Sequence, residues 1–104
     1  MGQDGNQWIM ADMQSIRNIR SVTTQGRQDW EHWITAYKLY YGSDSTDMLC
    51  IQDASNTNRV FSGNWDRNTK VTHVLPLGTR GRYFKLNPIA WHDGIGLRWG
   101  LSEN

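Results

Sequence analysis

The sequence holds one cysteine, almost no net charge and no long apolar run, and each scarcity removes a class of protein. A lone Cys50 cannot close an internal disulfide, which leaves the redox compartment open. Its apolar setting, MLCIQ, marks a small packing residue, and the nearby Asp47 and Asp53 are the opposite of the basic surroundings that activate a thiol. Eleven Lys and Arg against ten Asp and Glu give a net charge of +1, too little for general electrostatic capture of nucleic acid. No apolar run reaches the roughly 18 residues of a membrane helix. The opening MGQDGNQWIMADMQS is too polar for the core of a secretory signal, so a signal for export would lie outside this chain. Repeats and low-complexity tracts are absent, and no long segment keeps apolar residues at helical spacing.

What remains is aromatic and β-branched. A chain of 104 residues supports one domain, and this one carries six Trp and four Tyr. Short bursts of strand-forming residues recur between polar turns. Gln7 to Met13 and Ile19 to Thr24 read as two strands. Tyr37, Leu39 and Tyr41 alternate with Lys38 and Tyr40, the turn GSDST follows, and Met48 to Ile51 returns as a hairpin partner. Val60-Phe61, Val71 to Leu77, Arg82 to Leu86 and Ile95 to Leu101 complete the set. In the last, Ile95, Leu97, Trp99 and Leu101 share a face opposite Arg98. About eight short strands imply an antiparallel sandwich or barrel, with function carried by loops at one end.

That architecture sorts the tryptophans. Trp8 and Trp99 fall within strand patterns and are expected in the core, Trp33 half buried, and Trp91 as a plug under one end of the barrel. Trp30, between Asp29 and Glu31, and Trp65, in SGNWDRN, have no partner at strand spacing and are expected in exposed turns. A catalytic reading would pair His32 or His92 with Asp29, Glu31 or Asp93. No nucleophile elbow or phosphate-cradling glycine loop accompanies them, and no HxxxH, HxH or CxxC spacing suggests zinc. The chain is therefore expected not to be an enzyme and to need no cofactor. Calcium stays as an alternative, because loop oxygens in SGNWDRN suit it, although their spacing is not that of a dedicated calcium loop.

Four stretches then carry a family likeness together: NQWIMADM, VTTQGRQDWEHWITAYKLYYGSD, IQDASNTNRVFSGNWDRNTKVT and RGRYFKLNPIAWHDGIGLR. In this order and spacing, from Asn6 to Arg98, the chain resembles the discoidin domain, also called the coagulation factor V/VIII C-type domain. The resemblance implies one all-β domain over residues 1–104, an antiparallel jelly-roll β-sandwich of the galactose-binding-like type. It also implies a non-catalytic module of secreted or cell-surface proteins that binds anionic phospholipid, glycans, collagen or other proteins through loops at one end. By that likeness the candidate ligand-binding residues are Arg27, Asp29, Trp30, Glu31 and His32 in one loop, and Asn64, Trp65, Asp66 and Arg67 in another. Arg27 matches the arginine of the TQGR motif, with Asp29 or Glu31 as its acidic partner. Asn64, Asp66 and Asn68 match a motif that mainly organises the loop backbone, while Trp30 and Trp65 fall where the family varies.

The chain departs from the family pattern in three ways. The strand and long loop with which the domain usually opens are missing, so the domain reads as partial at its N-terminus. The usual cysteines near each terminus are missing too. Gly100 and Met48 stand where an acidic residue and a tryptophan are common. An incomplete sheet exposes unpaired backbone, which favours self-association or a partner strand. The leading expectation is an extracellular adhesion module for a cell-surface lipid or matrix protein. The alternatives are a galactose-type lectin using the same loops, and a truncated or engineered fragment with a mainly structural role.

Overall fold

The computed structural model describes residues 8–27 and 31–103. Among these, seven strands and no helix form: β1 (Ile9–Gln25), β2 (Trp33–Asp44), β3 (Asp47–Cys50), β4 (Phe61–Ser62), β5 (Val71–Val74), β6 (Arg80–His92) and β7 (Arg98–Glu103). All pairings are antiparallel, in the order β3-β2-β6-β1-β5, with β4 on β2 and β7 on β1. The sheet curls over β1, whose first part pairs with β6 and whose second part pairs with β5 and β7. This is the expected all-β, antiparallel architecture.

Two of the expected strands are thus one. The seam between them is a bulge from Asp12 to Arg17, where Gln14 takes a φ of 66° and its backbone N–H donates to Asp12 Oδ1 at 2.8 Å. Five steps along β1 here oppose two along β6, and such extra residues twist and bend a strand, after which β1 pairs with β6 only at Arg17 and Asn18 before joining β5 and β7. Bulges also explain the spacing of the core. Ile19 and Val22 both point inward although three residues apart, because the register shifts between Ile19 and Ser21. Ile34 and Tyr37 do the same across the shifts around Ala36. The core they join contains Leu39, Ile51, Phe61, Leu75, Phe84 and Leu86, and Tyr37 stacks on Phe61 at 5.2 Å between ring centroids.

Three boundaries move from those the sequence suggests. β6 runs past Leu86 to His92, because Pro88 sits opposite Tyr37 beside a register shift, where a missing N–H is tolerated. β5 stops at Val74, since Pro76 to Thr79 form a turn with Gly78 at φ 87°, leaving Leu77 fully exposed. β7 begins at Arg98, although Ile95 and Leu97 still pack against the core.

Trp8 is the clearest correction. It was expected in the core and is 57% exposed. The period-2 pattern was right and its phase was not: Ile9, Ala11 and Met13 take the inner face of β1, so Trp8 and Met10 stand on the outer one. Trp99 is half buried and packs on the core, as does Trp91. Trp33 is half buried and stacks on His92 with centroids 4.2 Å apart. Cys50 is half buried, and burial pushes its thiol pKa up, as a packing residue requires.

A candidate ligand-binding loop end

One end of the sandwich gathers the end of β1, the start of β2, the loop from Gly63 to Lys70 and the segment from Gly94 to Arg98. The two loops expected to act together do meet. A Cβ added at Gly26 would lie 2.5 Å from Arg67 Cα and 2.8 Å from the Asp66 carbonyl oxygen, so only glycine allows the two backbones to come this close. The Arg27 N–H donates to the His32 carbonyl at 2.9 Å and closes the first loop. Asp29 and Trp30 lie outside the described residues; Glu31 and Arg27 are exposed and His32 is half buried.

The second loop is held from below. The Gly63 and Asn64 N–H groups donate to the carbonyls of Thr35 (2.8 Å) and Ile34 (2.7 Å) at the start of β2. Asn64 is only 3% exposed, and its Nδ2 donates to the Thr24 carbonyl at 3.0 Å and the Thr69 carbonyl at 2.8 Å. Asp66 then organises the tip. Its Oδ1 accepts from the N–H groups of Asn68 (2.9 Å) and Thr69 (2.7 Å), and its Oδ2 accepts from Thr69 Oγ1 at 2.7 Å. The Thr69 backbone bond, foremost among these, holds the Asp66 carboxyl below its ordinary pKa. Asp66 thus organises its own loop, and Asn64 ties that loop to Thr24 of β1, while its buried Oδ1 has no hydrogen-bond partner among the described residues. What the scaffold presents outward is Trp65, 65% exposed, with Arg67 and Lys70 exposed beside it along the chain.

Two parts of this end were not read from the sequence. Arg98 stitches the loops together: its Nε donates to the Gly26 carbonyl at 2.9 Å, and its Nη2 donates to the Arg67 carbonyl at 2.9 Å and to Asn68 Oδ1 at 3.4 Å. The available signal was a single arginine set into an apolar alternating strand. Gly94 and Gly96 pack against His32 so closely that a Cβ would fall 2.7 Å from its ring at Gly94 and 3.0 Å from its Cβ at Gly96. Beneath the loops, Tyr37 is fully buried, and burial pushes its hydroxyl up to about 12.

Of the groups considered for catalysis, Asp29 lies outside the described residues and the His32 ring packs against Gly94. His92 Nε2 lies 3.4 Å from Asp93 Oδ2, with the two side chains 45% and 65% exposed, and His92 is otherwise stacked on Trp33. Among the described residues, no three His, Cys, Asp or Glu side chains converge on a point. No helix is long and apolar enough to cross a membrane among the same residues.

Mouse (Mus musculus) retinoschisin is 36% identical over 102 residues, covering 97% of this chain and 46% of the relative. Lactadherin of Bos taurus is 28% identical over 96 residues, 89% of this chain and 22% of the relative. The chain thus spans less than half the length of these curated relatives. The native structure of recombinant discoidin II from Dictyostelium discoideum superposes with a TM-score of 0.84 at 33% identity, over 94% of this chain and 37% of the other. A match to the family F5/8 type C domain extends over residues 1–101, and the chain belongs to that family.

Proposed function

We propose that the chain is a non-catalytic binding module acting outside the cell or at its surface, and that its loop end engages an anionic phospholipid surface. The observation that carries this reading is the exposed Trp65 on a tip held in shape by the hydrogen bonds of Asp66. An indole so held has the amphipathic character that favours the headgroup boundary. Arg67 and Lys70 flank it within the same loop, and each basic residue near an anionic surface contributes about 1 kcal/mol. Charge alone would therefore localise the module weakly, and the indole supplies the remainder.

A lectin using the same loops is less well supported, because sugar hydroxyls need free carboxylates and amides. Asp66 has already committed its carboxylate to its own loop, and Asn64 is buried beneath it at 3% exposure. A protein ligand on this end is the other alternative. Co-sedimentation with liposomes tests the proposal: binding should require phosphatidylserine, weaken with added salt, and fall in Trp65→Ala and Arg67→Gln. Equal, negligible binding to vesicles with and without the anionic lipid would remove the membrane reading.

A further inference from the structure

The outer face of the larger layer carries a second feature, far from the loop scaffold and independent of the function proposed for it. Met10 of β1, Lys85 of β6, Tyr40 of β2 and Cys50 of β3 are successive register partners, so they form one row across four strands. Side chains two residues along a strand share its face, which adds Lys38, Asn87 and Tyr83 in the neighbouring rows. Trp8 precedes β1 and leans over the same surface. The Lys85 Nζ lies 5.1 Å from the Trp8 ring centroid and 4.9 Å from that of Tyr40, so one ammonium sits between two aromatic rings. Trp8 is 57% exposed and Met10 40%.

The charge of this face is one-sided. Its carboxylate, Asp12, is bound by Arg82 through bonds of 2.8 Å and 3.0 Å, and that guanidinium also covers the Tyr83 ring at 4.9 Å. Among the described residues, neither Lys38 nor Lys85 has an acidic partner in an ion pair. The result is a pleated surface with aromatic rings standing beside two uncompensated cations. Cation–π contact fixes the position of Lys85 without neutralising it, so the ammonium keeps its capacity to meet an anion.

We propose that this face binds an acidic polysaccharide. The apolar C–H face of a pyranose stacks on the Trp8 indole, while a carboxylate or sulfate on the sugar meets Lys85, with Lys38 one row away. An extended polymer suits a surface that is open across the strands, and the charge excludes a neutral chain as the preferred occupant. The anion has two chemical sources, uronate carboxylates and sulfate esters, and both satisfy the same two cations.

The test uses the whole chain with three polymers: a polyuronate, a sulfated glucan and its unsulfated parent, followed by affinity electrophoresis and calorimetry. Binding to one or both acidic polymers, with the unsulfated glucan inert and affinity falling as salt rises, is expected. Lys85→Gln and Trp8→Ala should each weaken binding roughly ten-fold, Lys85→Arg should restore most of it, and Trp65→Ala should leave it unchanged. The preferred acidic polymer identifies the anion. Equal binding of neutral and acidic polymers, a Lys85→Gln variant indistinguishable from the parent, or loss confined to Trp65→Ala would each overturn the proposal; the last would assign sugar binding to the loops. No polymer binding by a monomer of native circular dichroism would overturn it as well, as would a self-associated chain whose partner copy covers Trp8. Failure here leaves the liposome result untouched, because the two surfaces share no residue.

Discussion

At the scale of single residues, the loop end depends on polar side chains that face inward. Asp66 accepts three hydrogen bonds from its own loop, and these hold its carboxyl below the ordinary carboxylate range. A carboxyl depressed by folding contributes stability above its unfolded pKa, and that contribution is lost as pH falls through the folded value. The difference in urea midpoint between the parent and Asp66→Ala should therefore be constant from about pH 5 to 7 and shrink below the ordinary carboxylate pKa. A difference independent of pH would mean that the ionised carboxylate is not what holds the loop. The supporting role of Asn64 and Asp66 was legible in the motif of residues 64–69, because Asx side chains bond local backbone in turns. The exposure of Trp65 was legible too, from its lack of strand-spaced neighbours. The outward position of Trp8 was not, since alternation gives two faces and does not label them.

The elements repeat that lesson. Strand identity was largely readable, but bulges shift phase, and phase decides what is buried. The three-residue spacing of Ile19 and Val22, or of Ile34 and Tyr37, looks irregular until the register shifts are known. The strand expected to end at Leu86 continues through Pro88, because the effect of a proline depends on whether the partner strand needs its N–H. Contacts between loops distant in sequence were invisible from local pattern, and Gly26 is the residue that permits the main one. Gly26→Ala should force the backbones of residues 26 and 66–67 apart and cost roughly 1–3 kcal/mol, read from a denaturation midpoint. Gly100→Ala is the matched control: nothing lies within 4 Å of its added Cβ, so the midpoint should hardly move.

For the molecule as a whole, the edges of the curled sheet matter most. Among the described residues, β7 pairs with β1 alone, and the pairs of Ile9 to Asp12 are all with β6. Ala11, Met13, Trp99, Gly100 and Leu101 line a cavity of about 140 Å³ between these two edges. Unpaired backbone beside half-buried apolar side chains is a template for another strand. The chain is therefore expected to self-associate with rising concentration in size-exclusion chromatography with light scattering, and Leu101→Lys to shift it toward monomer. A clean monomer at high concentration would count against this. Net charge and composition bounded the class of protein, but only pairing shows where its edges fall.

The 17-residue β1 serves both layers, and this bears on how the molecule comes apart. A sandwich of two separate sheets can loosen one sheet and keep the other. Here neither layer can lose its central partner without taking hydrogen bonds from its neighbour, so partial opening is confined to strand ends and turns. The loop end is anchored to this strand through Thr24 and Gly26, and it shares in the same cooperative unit. A ligand that tightens the loops is thereby coupled to the stability of the entire fold rather than to that of one surface.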